Sequence, residues 1–440
     1  MQKPEVLALS LQVVCTVLPD TRRSYIKFMA SAAWGARRGL IAAAALLALP
    51  AAGQKSAPDQ FTPVVVSPLT GSTQPFPGAD GKYHVVYELV VTNTKPTPAT
   101  LKKVEVLDAG SQGGSSGAVI ASYDGDALLS RVRTLANTPV NSPEIEFNGT
   151  RLFLIDLTFD ALAQVPGRLQ HHFELMGASG PVPEPMTPAA LSYTVAPLDL
   201  HLQLRQIGPP LAGKRWVAIN GCCGVRGAHR GSGLSANGGI YYGQRFAIDW
   251  MRLDEAGRLV HGDPADVHNY ACYGVDVLAV ADGTVVHVLD TLDDQPPGNL
   301  PDPKKMTVEN VLGNHVILDL GGGVYAFYAH IEKGSIGVAE GQRVKRGDVL
   351  GKLGNSGNTS APHLHFHLMD GPSALASNGI PYVIDSFALA GRISPEKDPA
   401  AAPSIEGSWS GELFSSASLR HAQFPLDLDV IDFPETPGKQ

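Results

Sequence analysis

The stretch Pro362-His363-Leu364-His365-Phe366-His367 alternates histidine with other residues. Successive side chains of a β-strand point to opposite faces, so this pattern predicts a strand with three histidines on one face. Neighbouring histidines on that face would lie about 7 Å apart. Such a group favours a zinc site over a surface stripe of histidines. Because one strand cannot easily supply two ligands at this spacing, we expect one histidine on the metal and a neighbour beside it for acid–base work.

Two other stretches supply candidate partners. Asp249 lies among apolar residues in Arg245-Phe246-Ala247-Ile248-Asp249-Trp250, where a carboxylate is costly unless a cation compensates it. Asp249 is therefore predicted either to bind a metal or to form a salt bridge with an arginine. His330 ends the aromatic stretch Tyr325-Ala326-Phe327-Tyr328-Ala329-His330, which is typical of a strand. The histidine at its end could face a cleft, although a histidine in this setting is more often part of a core.

Short motifs follow one another along residues 247–366 in a fixed order. They are Ala247-Ile248-Asp249, Ala281-Asp282-Gly283-Thr284-Val285, Gly313-Asn314-His315-Val316, Tyr328-Ala329-His330, Leu353-Gly354-Asn355-Ser356-Gly357-Asn358-Thr359 and Pro362-His363-Leu364-His365-Phe366. As a set they resemble the M23 family of zinc metallopeptidases, the lysostaphin/LytM-type peptidoglycan hydrolases.

The resemblance implies a secreted Zn²⁺-dependent endopeptidase that cleaves peptide bonds in bacterial cell-wall peptidoglycan. It implies that Asp249 and His365 are zinc ligands, and that His330 and His363 are the two unligated catalytic histidines. His367 stands where the family more often has an acidic residue, so its role stays open.

One position departs from the family pattern. The family's first zinc ligand is a histidine four residues before the aspartate, and this chain has Arg245 there. A guanidinium has no lone pair to offer, so Arg245 cannot bind zinc. The segment Phe246-Ala247-Ile248 is predicted to be plain strand, and four extended residues span about 13 Å. Asp249 is therefore expected to face the metal without Arg245.

The missing ligand has several candidates. His229 is the first choice, because it lies in a Gly- and Ser-rich stretch that can fold back over the site. His261 and His268, in the loop after the strand, are alternatives. If none of them binds the metal, the zinc site is impaired or absent. The chain is then a catalytically inactive LytM-like scaffold or an activator of other wall hydrolases.

Composition supports an all-β chain. The 440 residues include 47 Gly and 34 Pro, and only 17% are charged. This excludes coiled coils and long solvated helices, and it favours short strands joined by many turns. We predict an N-terminal immunoglobulin-like β-sandwich followed by an antiparallel β-sheet peptidase domain of the LytM type. The predicted divisions are a signal-peptide region at 1–53, the sandwich at 54–200, a linker at 201–215, the peptidase domain at 216–391 and a tail at 392–440 in which 424–433 is a candidate last strand for either domain.

The N-terminal region carries an export pattern. Arg37 and Arg38 precede the apolar run 40–49, and Ala51-Ala52-Gly53 follows. This order is typical of a signal peptide cut near Gly53, with Met29 as an alternative start. The apolar run is too short to span a bilayer, so the mature chain is expected to lack a transmembrane segment and to be periplasmic or extracellular.

Charge and cysteine content limit the other partners. The net charge is −8 and no basic block is present, so nucleic acid is an unexpected partner. Peptidoglycan or its cross-link peptides are the expected substrate, and the sequence does not indicate an oligomeric state. Cysteine is scarce, and Cys222 or Cys223 is a candidate to pair with Cys272 in an oxidising compartment.

Overall fold

The computed structural model describes residues 59–110, 117–181, 184–225, 227–298, 300–393 and 411–435. Within these ranges the chain forms strands, turns and loops, together with one short α-helix, Gly125–Leu129. The all-β fold class is therefore confirmed. The predicted signal region lies outside the described residues. No helix in the described part of the chain is long and apolar enough to cross a membrane.

The first domain, residues 59–200, consists of two sheets. Its strands in chain order are β1 Val64–Pro68, β2 Ser72–Thr73, β3 Phe76–Pro77, β4 Tyr83–Asn93, β5 Ala99–Asp108, β6 Val119–Asp124, β7 Val132–Arg133, β8 Glu144–Ile145, β9 Thr150–Phe159, β10 Arg168–Gly177 and β11 Ala189–Leu200. One sheet has the order β1-β4-β9-β7 with β3 beside β4, and the other has the order β2-β11-β10-β5-β6 with β8 beside β5.

The two sheets of the first domain enclose one apolar core. Tyr87 and Phe153 from one sheet pack in the same buried cluster as Phe173 and Leu198 from the other. The long strand β4 is buried on both faces because one face meets this core and the other faces the second domain. The immunoglobulin-like character of this sandwich stays a prediction.

The second domain, residues 201–435, is built around one large sheet. Its strands are β12 Arg205–Ile207, β13 Trp216–Ile219, β14 Leu234–Ala236, β15 Gly239–Tyr241, β16 Ile248–Arg252, β17 Asp276–Leu278, β18 Gly283–Leu289, β19 Asn314–Asp319, β20 Tyr325–Ile331, β21 Arg343–Val344, β22 Val349–Lys352, β23 Leu364–Met369, β24 Gly379–Ile380, β25 Tyr382–Ile393, β26 Gly411–Gln423 and β27 Asp429–Asp432. The large sheet has the order β12-β25-β27-β13-β16-β23-β20-β19-β18-β21. Two separate antiparallel strand pairs, β14-β15 and β17-β22, lie outside it.

Both ends of the second domain contribute strands to the large sheet, and β27 lies within the candidate last strand at 424–433. Residues 201–215 were predicted to be a linker, yet β12 lies within them and pairs in parallel with β25. The other pairings of the described large sheet are antiparallel, as predicted. In the tail, β27 enters the large sheet between β25 and β13, and β26 pairs with β25. The three-residue strand β12 carries a weak sequence signal because a sheet edge accepts short strands of mixed composition.

The two domains share buried surface. Phe76, Ala79 and Val86 of the first domain belong to the apolar core of the second. Phe424 contacts Phe76 directly, and the backbone of Ala79 donates a hydrogen bond to the Phe424 carbonyl. The first domain is therefore packed against the large sheet of the second domain rather than joined to it by a free linker.

Candidate metal centre

Asp249 and His365 face each other across adjacent strands. Strand β23 lies between β16 and β20, and Asp249 pairs in register with His365. Their side chains leave the same face of the sheet, and His365 Nδ1 lies 2.9 Å from Asp249 Oδ1. Both residues are buried. The period-two alternation of the two strands thus brings the carboxylate and one imidazole together.

His229 approaches the same carboxylate from outside the sheet. It begins a three-residue 3₁₀ turn, His229–Gly231, and its Nε2 lies 3.3 Å from Asp249 Oδ2. Its Nδ1–H is donated to the Ala247 carbonyl at 3.1 Å. Nε2 of the neutral ring therefore offers a lone pair, and two acceptors face each other unless a cation lies between them.

The other two candidates for the missing ligand lie elsewhere. His261 accepts a hydrogen bond from Arg258 at 2.7 Å, and His268 lies 2.9 Å from an oxygen of Asp266. Both rings are exposed, and neither belongs to the groups of clustered ligand atoms found in the described residues.

His330 and His363 complete the cluster. Nδ1–H of His330 is donated to the Ser356 carbonyl at 2.7 Å, and Nδ1–H of His363 is donated to the Ala361 carbonyl at 2.8 Å. The two ring centroids lie 4.6 Å apart. Each ring therefore presents Nε2 to the site, and His363 Nε2 lies 3.3 Å from Asp249 Oδ1.

A backbone irregularity aims His330. The pairing of β19 with β20 shifts register beside it, so that Asn314 pairs with Ile331 and His315 with Ala329. His330 is the extra residue of this bulge and has φ of 64°. Positive φ is uncommon for a residue with a side chain and recurs at functional sites. The bulge lets His330 reach the face that carries His363 and His365.

His367 contacts the back of His365. Its Nδ1 lies 3.1 Å from His365 Nε2, and its ring is buried against Phe327. Asp249 can therefore face one nitrogen of the His365 ring while His367 faces the other.

The charges of the cluster shift its pKa values strongly. Burial would raise the pKa of Asp249, but the neighbouring His229 and His363 outweigh it and hold that pKa well below 3.8. Burial would lower the pKa of His229 and of His363, but Asp249 outweighs it in both and raises them above 6.5. Burial lowers the pKa of His365 to about 4, and burial together with the neighbouring imidazoles puts that of His330 well below 6.5. The carboxylate thus stays ionised in a site that attracts a cation.

Arg245 lies outside the cluster. Its Nη2 is 2.6 Å from Glu88 Oε2 in the first domain. Arg245 therefore does not form the salt bridge with Asp249 that was the predicted alternative to metal binding. The predicted plain strand over 246–248 is wrong. The backbone turns at residues 243–246, the Ala247 N–H is donated to the Gln244 carbonyl, and β16 begins only at Ile248. A short apolar run does not distinguish a buried turn from a strand.

Sequence reasoning missed two residues near the cluster. Asn220 follows β13 and donates its side-chain amide to Asp249 Oδ2 at 2.8 Å. Its only signal was the Asn220-Gly221 dipeptide, which indicates a turn and no chemistry. Glu88 was also missed, although a lone carboxylate inside the apolar strand β4 was a visible signal for a buried partner.

The expected pairing of Cys272 is corrected by the structure. Cys222 and Cys223, adjacent in sequence, form the disulfide with each other, and Cys272 is a buried free thiol. Cys272 donates instead to the Pro362 carbonyl, and burial raises its pKa to about 12.

The donor set fits a zinc ion. One ligand atom each from His229, Asp249 and His365 lie within 4.8 Å of one another. Nitrogen and oxygen donors about 2.0–2.2 Å from a tetrahedral zinc are about 3.3 Å apart. The distance between His229 Nε2 and Asp249 Oδ2 is 3.3 Å, and that between His365 Nδ1 and Asp249 Oδ1 is shorter, at 2.9 Å. Two imidazoles and one carboxylate leave a fourth position open, as catalytic zinc sites do.

A cleft opens beside this cluster. His330 and His365 are on its wall, and Gln244 and Asn358 add polar groups. Apolar side chains make up much of the remainder, namely Leu234, Val311, Leu312, Phe327 and Leu375. A cleft with apolar walls and a few polar groups is typical of a ligand-binding site.

Comparison with known families covers part of this domain. Residues 267–377 match the model of peptidase family M23. The matched segment of the second domain belongs to peptidase family M23. The matched M23 segment contains His330, His363 and His365 and begins after Asp249, so the departure at Arg245 lies upstream of it.

Individual proteins are similar over limited lengths. A 57-residue segment is 40% identical to the peptidoglycan DD-endopeptidase ShyA of Vibrio cholerae, and it spans 13% of this chain and 13% of that protein. The catalytic domain of the antimicrobial peptidase lysostaphin from Staphylococcus simulans is 22% identical, with 33% of this chain and 80% of that chain covered and a TM-score of 0.21. The catalytic domain of the prophage-encoded M23 protein EnpA from Enterococcus faecalis is 19% identical, with 41% and 93% covered and a TM-score of 0.21.

Proposed function

We propose that this chain is a zinc endopeptidase that hydrolyses peptide bonds in bacterial cell-wall peptidoglycan. The observation that carries the proposal is the grouping of His229 and His365 around one buried carboxylate, Asp249, with two further imidazoles beside it in a cleft. The M23 match supports a peptidase. Similarity to ShyA, a peptidoglycan DD-endopeptidase, supports the substrate class.

The metal ligands in this proposal are His229, Asp249 and His365. When bound, zinc supplies Lewis-acid activation of water and of the peptide carbonyl. His365 is oriented from behind by His367, whose Nδ1 accepts the Nε2–H of His365 at 3.1 Å. Hydrogen bonds of this kind fix the tautomer and the direction of a ligating ring. His367 thus takes the place of the acidic residue that the family more often has.

His330 and His363 move the protons. Because both rings donate Nδ1–H to backbone carbonyls, Nε2 is the nitrogen of each ring that accepts a proton from the attacking water. The second ring stabilises the oxyanion or protonates the leaving amine. The two rings lie within reach of the same reacting group, since their centroids are 4.6 Å apart.

The alternative is a catalytically inactive scaffold, and Arg245 is the feature that favours it. A scaffold has no need for His229 beside Asp249 or for the positive φ that aims His330. These features support the enzyme. Zinc content of the purified protein, together with hydrolysis of cross-linked muropeptides before and after chelation, tests the proposal. Zinc-free protein that is equally active, or zinc-loaded protein that cleaves no muropeptide, would contradict it.

The proposed place of action is outside the cytoplasmic membrane. The export pattern at Arg37–Gly53 and the position of the substrate polymer support it. The Cys222–Cys223 disulfide also suits an oxidising compartment. N-terminal sequencing of protein recovered from the periplasm or medium should give a start near Gln54, and an uncleaved cytoplasmic chain would contradict export.

A further inference from the structure

Glu88 lies at the centre of the contact between the two domains. It is in the middle of β4 and is 1% exposed. Its two carboxylate oxygens face two buried guanidiniums of the second domain, Oε1 facing Arg230 and Oε2 facing Arg245. Burial lowers the pKa of Arg230 to about 9 and that of Arg245 to about 10, so both stay charged at neutral pH. One carboxylate of the first domain therefore holds two charged side chains of the second.

The guanidinium of Arg230 forms its hydrogen bonds with residues of the first domain. Besides its hydrogen bond to Glu88, its guanidinium donates to the carbonyls of Tyr87 at 2.8 Å and Ile155 at 3.1 Å. These acceptors lie on the adjacent strands β4 and β9. A planar guanidinium with three fixed acceptors has little freedom to move.

Arg230 directly follows His229, the candidate ligand that replaces the family's histidine. The two residues share one 3₁₀ turn, in which successive side chains diverge by about 120°. One side chain can therefore reach into the first domain while the other faces Asp249. Fixing the Arg230 guanidinium fixes the turn, and the turn sets the direction of His229.

The first domain holds this loop at other points as well. The Val225 carbonyl accepts a hydrogen bond from Arg133 at 3.2 Å. Gly231 lies so close to Asn137 that an added Cβ would collide with its side-chain amide. A segment this rich in glycine has high conformational freedom by itself. Contacts with the first domain thus supply order that the loop sequence does not.

We propose that the first domain is part of the metal site, with Glu88 and Arg230 as positioning residues for His229. The inference rests on the proposed zinc site and deepens it. Arg245 cannot bind zinc, and its guanidinium pairs with the Glu88 carboxylate, which also binds Arg230. Glu88 therefore connects the contact between the domains to the turn that carries His229.

The test compares two substitutions at this contact in the full-length protein. Arg230→Met and Arg245→Met each leave Glu88 with one guanidinium, so the buried charge stays balanced in both. Glu88→Gln is unsuitable because it would leave two buried cations without a counterion. Zinc affinity is measured by competition with a chromogenic chelator. The visible spectrum of Co²⁺-loaded protein reports the ligand set, and thermal unfolding of the metal-free proteins reports the fold.

Arg230→Met is expected to weaken zinc binding by about 10- to 100-fold and to change the Co²⁺ spectrum as His229→Ala does. Arg245→Met is expected to keep the parent's affinity and spectrum. The inference is overturned if Arg230→Met binds zinc like the parent, or if both variants lose affinity equally. If the parent itself binds no metal, the proposed function fails too, which distinguishes the two failures.

Arg230→Lys keeps the test decisive if the methionine variant does not fold. Lysine retains the charge opposite Glu88, but its single ammonium cannot hold that carboxylate and both carbonyls in one plane. A loss of zinc affinity in this variant supports the positioning role, and parent-like affinity overturns it.

Discussion

Arg245 pairs with Glu88 across the domain boundary, with 2.6 Å between Nη2 and Oε2. The guanidinium also lies over the rings of Tyr242 and Phe246, at 6.0 and 5.9 Å from their centroids. The side chain that occupies the usual position of a zinc ligand is thus directed toward the first domain. The histidine beside Asp249 is instead His229, which lies on a loop earlier in the chain and has its Nε2 3.3 Å from Asp249 Oδ2.

Substitution of the proposed ligands should remove the metal. The parent should bind about one zinc per chain, and Asp249→Ala or His229→Ala should lose most of it, because three protein ligands are the usual minimum for a catalytic zinc. Metal analysis after gel filtration measures this. His261→Ala, an exposed histidine away from the cluster, is the matched control. If His229→Ala retains the parent's zinc, the third ligand lies elsewhere.

Substitution of the other two histidines should separate metal binding from hydrolysis. His330→Ala and His363→Ala should retain zinc yet lose about a hundredfold to ten-thousandfold in rate, because each removes a proton acceptor or an oxyanion partner. A cross-linked muropeptide assay measures the rate. If the parent binds zinc but cleaves no muropeptide, and both variants match it, the scaffold is the better account.

His367→Ala should weaken zinc binding without removing a ligand. The 3.1 Å contact with His365 Nε2 holds that ring in place, and loss of such a contact costs about 10- to 100-fold in metal affinity. Competition with a chelator measures it. His287→Ala, an exposed histidine of the same domain, should bind zinc like the parent, and equal affinities in all three proteins would refute the orienting role.

The predictions that rested on strand periodicity agree with the structure. Alternation in 362–367 placed three histidines on one face without knowledge of the neighbouring strands, and the structure pairs this strand with the one that carries Asp249. The all-β class followed from glycine, proline and short apolar runs. These features depend on local backbone geometry, which sequence patterns record directly.

Loop placement could not be derived in the same way. From the sequence, His229 was the first choice for the missing ligand, and His261 and His268 stayed alternatives. The sequence could not decide between them, because the position of a loop is set by contacts with residues far away in the sequence. Here those contacts are between Arg230 and Glu88, which are 142 residues apart. The turn before Ile248 and the strand inside the predicted linker also depend on tertiary partners that sequence patterns do not show.

Thiol chemistry should distinguish the two adjacent cysteines from Cys272. In denatured, unreduced protein, an alkylating reagent should modify Cys272 and leave Cys222 and Cys223 unmodified. In native protein Cys272 should stay unmodified too, because it is fully buried and its pKa is about 12. Peptide mass spectrometry before and after reduction reads out each site. A disulfide-linked peptide containing Cys272 would rule out the observed pairing.

His171, in the core of the first domain, should make stability depend on pH. Its Nδ1–H is donated to the Ala196 carbonyl, its Nε2 accepts from Tyr87, and burial lowers its pKa to about 4 from 6.5. The unfolded chain binds the proton more tightly, so the free energy of unfolding should fall as pH drops from 6.5 toward 4, by about 3 kcal/mol, and then level off. His171→Gln cannot titrate, so in denaturant unfolding its stability deficit against the parent should shrink across that window. His172→Gln, on the opposite face of the same strand, should follow the parent, and a deficit for His171→Gln that stays constant from pH 7.5 to 4.5 would show that His171 does not carry this dependence.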